Sequence, residues 1–205
     1  MIKIIDTLEL TPDGVRLGGT SKVHLRQGEL DGACAVYSLM MYLIILRIFT
    51  YKQVTEGNNI KRSTSKGRII RNFLERQDGL IRKGLGFADD IKDGLQFAAK
   101  SIVDCNYIAS RQETIETLKR CIDDNKPLMI GVDYNKVVGH ALLAIGYETR
   151  NDKIKKIFCL DQEATLPQFL IGMLSFLLMN IQIRNTVIHI SRQMETSIKL
   201  HWLMP

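Results

Sequence analysis

The sequence predicts an α+β fold, and three observations lead there. Apolar spacings of three and four residues fill much of the stretch 31–124, short β-type runs take over from about residue 125, and a turn signal joins two of those runs. Helices first and a mostly antiparallel sheet second make one domain over 1–205, with a helical part over about 31–124 and a sheet part over about 125–205. A chain of 205 residues, 45% hydrophobic and 24% charged, is long enough for one substantial core and has ordinary globular composition.

In chain order, "IKII" (2–5) and "KVHLR" (22–26) read as short strands around the turn signals "TPDG" and "LGGT". The first helix spans about 32–48. Val36, Leu39, Met40, Leu43 and Ile44 form its stripe, and Tyr37, Met41 and Ile45 carry the apolar surface round the cylinder, which marks a buried central helix. Helical spacing recurs at 66–77 (Ile69, Ile70, Phe73, Leu74), 87–101 (Ile91, Leu95, Ala98) and 111–124 (Ile115, Leu118, Ile122). The last of these has acids early and basic residues late, as the helix dipole prefers. Strands follow at 128–134, 140–148 and 153–160, the last two joined by "TRND". An apolar helix over 167–179 and strands at 181–190 and 197–203 complete the expected set.

Composition excludes several classes. Cys34, Cys105, Cys121 and Cys159 fall at wide, irregular spacings, so neither a zinc site nor a disulfide framework is indicated, and no cofactor is implied. Reduced thiols and an N-terminus without a secretory pattern point to the cytoplasm. The apolar runs 36–46 and 168–181 fall short of the roughly 18 to 20 residues of a membrane span. A net charge of +6 is too mild to define a nucleic-acid binder, although 60–76 holds Lys61, Arg62, Lys66, Arg68, Arg71 and Arg76. Oligomeric state has no signature.

The chemistry gathers on "LRQGELDGACAVYS" and "VVGHALLAIGYE". Cys34 stands where a polar, glycine-spaced loop enters the apolar helix. Unpaired amides at a helix start favour the thiolate, Asp31 is placed to cap, and Gly32, Ala33 and Ala35 keep the first turn open. The other three cysteines lie inside apolar patterns. His140 follows a glycine at the mouth of a strand, whereas His24, His189 and His201 lie within strands. If the "TRND" turn is centred between Arg150 and Asn151, paired positions sum to 301 and His140 faces Asp161, close enough for the carboxylate to fix the imidazole tautomer.

In this order Gln27, Cys34, His140 and Asp161 resemble papain-like cysteine peptidases, and "GHALLAIGYE" is similar to the histidine strand of papain. The acidic third member and the compact size are closer to bacterial relatives, such as the peptidase domains of bacteriocin exporters and some effector proteases. The resemblance implies a papain-like fold, a catalytic triad of Cys34, His140 and Asp161, and an oxyanion hole from Gln27 and the Cys34 N–H. It implies a protein or peptide substrate cleaved through a thioester. Two departures stand: "DGACAVYS" lacks the Cys-Gly-Ser-Cys-Trp pattern, and Gln27 lies one residue farther from the cysteine than in papain. A papain-fold acyltransferase or transglutaminase shares the same residues, and a basic module binding nucleic acid or another polyanion is the non-enzymatic alternative. "RLGG" (16–19) resembles a double-glycine cleavage site, which raises self-processing at Gly18-Gly19, but a hairpin turn between short strands is the commoner reading of such a pair.

Overall fold

A computed structural model describes residues 1–27, 32–57, 59–75, 85–100, 102–108, 110–133, 139–162, 174–178 and 182–192. It is an α+β architecture of helices with two antiparallel sheets.

The chain opens with β1 (Ile2–Ile4), β2 (Leu8–Thr11), β3 (Gly14–Leu17) and β4 (Ser21–Lys22), and the last three pair into a small sheet. Both turn signals sit at its corners. Gly18 and Gly19 take φ of 57° and 71°, a left-handed conformation that glycine adopts without steric cost. A side chain at Gly19 would also strike the Glu9 carboxylate. "RLGG" is therefore a hairpin corner, and this conformation gives no support to self-processing. Of the strand expected over 22–26, Lys22 alone is a strand residue; 23–27 continue as irregular chain.

Helix α1 (Cys34–Ile45) is buried at ten of its twelve positions, as a cylinder apolar on all sides requires. It stops where Arg47 turns left-handed (φ 58°), with Arg47 N–H on Ile44 O and Ile48 N–H on Leu43 O, the paired bonds of a Schellman ending. Next comes α2 (Tyr51–Glu56), a helix the apolar spacing did not reveal. Thr50 and Gln53 form a reciprocal capping box at its start, and Gly57 closes it at φ 66°. Helix α3 (Ser65–Ile70) is capped by Thr64 and continues in a wider π-type turn over Arg71–Glu75. A second such turn, Phe87–Lys92, leads into α4 (Asp93–Ala99). Helix α5 (Arg111–Asp123) follows β5 (Val103–Ile108), a strand inside the stretch read as helical.

The larger sheet combines β5 with β6 (Leu128–Asp133), β7 (Gly139–Arg150), β8 (Lys153–Leu160), β9 (Leu174–Leu178) and β10 (Gln182–Arg192), in the order β5-β10-β6-β7-β8-β9. β1 also pairs with β7, at Ile2–Ile4 opposite Glu148–Gly146, so β6 and β1 share β7's length. β7 is buried from His140 to Tyr147, which leaves neither of its faces to solvent there, and α1 and α5 both pack on it. Two expectations are corrected. Residues 174–178 of the expected helix are β9: an unbroken apolar run does not distinguish helix from strand, and the open edge of β8 offers backbone partners that a strand satisfies. The β7–β8 turn is centred between Asn151 and Asp152, both at positive φ (49° and 56°), so pairs near the turn sum to 303 instead of 301. The strand expected at 197–203 lies outside the described residues.

Candidate active site

Cys34 is the first residue of α1 and is partly exposed. The cap position belongs to Ala33, which has no side-chain hydrogen bond to offer, so the helix start presents main-chain donors beside the sulfur. Asp31, read as the capping residue, lies outside the described residues. Cys105, Cys121 and Cys159 are buried. Burial pushes the Cys121 thiol up to about 11 and raises that of Cys159, so neither is a thiolate near neutral pH.

His140 is the second residue of β7, and its side chain is nearly enclosed. Nε2 lies 3.0 Å from Asp161 Oδ1. A carboxylate accepts, so Nε2 carries the proton and Nδ1 is the nitrogen left for the hydrogen-bonding contact with Cys34. Burial works against the imidazolium, but the hydrogen bonds to Asp161 and Cys34 and their charges outweigh it, and the His140 pKa rises to about 10. Asp161 follows the last residue of β8. Carried one step on, the observed register would set it opposite Leu142, two residues from His140. A slip of two keeps the face, and a diagonal neighbour on that face is within side-chain reach, so the contact survives the corrected register.

The structure thus brings Cys34, His140 and Asp161 together. Gln27 joins through its main chain, its N–H donating to Gln162 O at 2.8 Å. The Gln27 side-chain oxygen is buried with no partner among the described residues. Three neighbours escaped sequence reading. His24 donates from Nε2 to Asp161 O at 2.7 Å. Gln162 is fully buried, with Nε2 2.9 Å from Ala141 O and 3.1 Å from His140 Nε2. Ser38, also fully buried, places Oγ 3.2 Å from Ala141 O and 3.3 Å from Gln162 Oε1. Ser38 alone left a signal: it is the polar break in an apolar helix, four residues after Cys34 and so on the same side.

One helical turn along α1, a pocket of about 420 Å³ opens between Val36, Tyr37, Met40, Leu25, Tyr51 and Val54. The basic stretch is largely engaged within the fold. Arg62 pairs with Glu75 at 3.0 Å, Arg68 bonds Ala98 O, Ser63 O and Ser65 Oγ, and Lys66 lies over the Phe49 ring. Arg76 lies outside the described residues. Among the described residues no group of three His, Cys, Asp or Glu side chains is placed to hold a metal ion, and no helix is long and apolar enough to cross a membrane.

No family model matches this chain, and no curated protein matches it. Among solved structures, UfSP from C. elegans, a Ufm1-specific protease of the papain-like cysteine type, is similar in fold, with a TM-score of 0.50 at 13% identity. The superposition covers 94% of this chain and 34% of UfSP, so the chain spans about a third of that protein's length. At this identity the likeness concerns the fold alone.

Proposed function

We propose that the chain is a papain-like thiol hydrolase that cleaves a peptide or isopeptide bond, with Cys34 as nucleophile, His140 as acid and base, and Asp161 as the residue that orients the imidazole. One observation carries this reading: His140 is held between the carboxylate of Asp161 and Cys34, which is partly exposed where Cys105, Cys121 and Cys159 are buried. The papain-like fold of a solved protease supports it.

In the reaction the Cys34 thiolate, paired with the His140 imidazolium, attacks the carbonyl carbon and forms a C–S bond. The oxyanion takes hydrogen bonds from the Cys34 N–H and the Gln27 side-chain amide. Imidazolium then gives its Nδ1 proton to the leaving amine as the C–N bond breaks, and a thioester remains. Water attacks the thioester while His140 accepts its proton, releasing the acid and restoring the thiolate–imidazolium pair. Asp161 keeps the proton on Nε2 throughout, so that Nδ1 does the exchanging. The pocket beside α1 would receive an apolar side chain of the bound chain.

The acyl-transfer alternative differs only in the last step, where an amine replaces water. Both are tested by incubating the protein with a mixed peptide library, with and without added hydroxylamine, and reading products by mass. New carboxyl termini that vanish in Cys34→Ala are expected, with hydroxamates appearing when hydroxylamine competes with water. A library unchanged by wild type and variant alike would contradict the proposal.

A further inference from the structure

Resting on that reading, we infer that Gln162 is a positioning residue that locks the base strand, the nucleophile helix and the Gln27 segment into one unit. Four contacts made by this fully buried residue carry the inference. Its main-chain oxygen accepts from Gln27 N–H at 2.8 Å. Its side-chain nitrogen donates to Ala141 O at 2.9 Å, the carbonyl next to His140 on β7. Its side-chain oxygen faces the Ser38 hydroxyl of α1 at 3.3 Å. The same nitrogen stands 3.1 Å from His140 Nε2.

The amide orientation follows from its surroundings. Turned over, Oε1 would oppose the Ala141 carbonyl oxygen, two acceptors at hydrogen-bond distance, so the nitrogen belongs on that side. While His140 Nε2 carries the proton it gives to Asp161, Gln162 cannot donate to it. The amide therefore acts there as a wall at the edge of the ring, filling the space beside the Asp161–His140 bond that a water would otherwise contest. Ser38 completes the tie, its single hydrogen shared between Gln162 Oε1 and Ala141 O. Because Ser38 is one turn after Cys34, this tie sets the height of the sulfur relative to the imidazole. On the other side, His24 and Gln27 N–H clamp the main chain of 161–162, so a segment carrying an oxyanion donor is braced against the residue that orients the base.

A displacement near 1 Å at such a site costs up to about 100-fold in rate. Two probes separate the roles: iodoacetamide, whose reaction with Cys34 needs the thiolate, and p-nitrophenyl acetate, whose acylation of Cys34 also needs the oxyanion donors. In Gln162→Met, similar in length but without the amide, both second-order rates are expected to fall roughly 10- to 100-fold while the thermal transition stays cooperative. In Gln162→Glu the charged form repels Ala141 O, whereas the protonated form donates to it, so the rates relative to wild type should recover on acidification. Ser38→Ala should lower both rates by a smaller factor. Variants that are less heat-stable but react at the wild-type rate when folded, with no acid recovery, would overturn the inference. If wild-type Cys34 itself reacts no faster than a free thiol, the hydrolase reading fails instead.

Discussion

Burial alone would drive the His140 imidazole toward its neutral form, yet the hydrogen bonds to Asp161 and Cys34 hold it charged up to about pH 10. The consequence for stability has a definite sign. Below about 6.5, the ordinary histidine pKa, the fold's preference for the imidazolium contributes fully, and this contribution is lost as the pH rises through about 10. The difference in melting temperature between wild type and His140→Gln should therefore be largest near pH 6 and shrink toward pH 10; a difference that grows with pH would contradict it. Removing the carboxylate charge beside His140 Nε2 acts on the same ring. Asp161→Asn keeps an acceptor at the carbonyl oxygen but loses the charge, so the iodoacetamide rate at Cys34 near neutral pH should fall, though less than in His140→Ala. The contact between residues 140 and 161 was legible from a hairpin argument with the wrong register. It held because a slip of two preserves the face of a strand, whereas a slip of one would have reversed it.

At the scale of elements, α1 carries the core, and its leucines have no room to relax. Leu39 is fully buried, and Leu39→Ala should cost about 2–5 kcal/mol, measured by chemical denaturation. Helix α2 depends on its ends instead. It has no buried residue, so the capping box is its main local support, and Thr50→Ala should cost about 1 kcal/mol. The same contrast explains what the sequence disclosed. α5 was legible from its helical spacing, and α1 and β7 from apolar runs that burial on all sides requires. α2 has no apolar stripe, and its evidence was the Thr50–Gln53 spacing and Gly57. β5 is a six-residue strand whose short alternation, Val103, Cys105 and Tyr107 against Asp104 and Asn106, is easily passed over between two longer helical patterns, and β9 is an apolar run whose type was decided by the free edge of β8.

Across the whole molecule, the candidate site is assembled from separate segments of the chain. The 24–27 segment, the start of α1, and the β7 start with the residues after β8 meet at Asp161 and Gln162. Cys34, His140 and Asp161 were legible because a cysteine opening a helix, a histidine at a strand mouth and a carboxylate at a strand end are distinctive residue types at element ends. Ser38 and Gln162 were not, because their contacts exist only once α1 lies across β7. The same burial that encloses Cys105, Cys121 and Cys159 makes the chain its own control for thiol chemistry. The most direct test is the second-order rate of iodoacetamide labelling at each cysteine of the native protein between pH 5 and 10, mapped by mass, in wild type and His140→Ala. Fast labelling confined to Cys34 and lost in the variant is the predicted result. Slow labelling of Cys34 that rises with pH like an ordinary thiol and is indifferent to His140 would contradict the account.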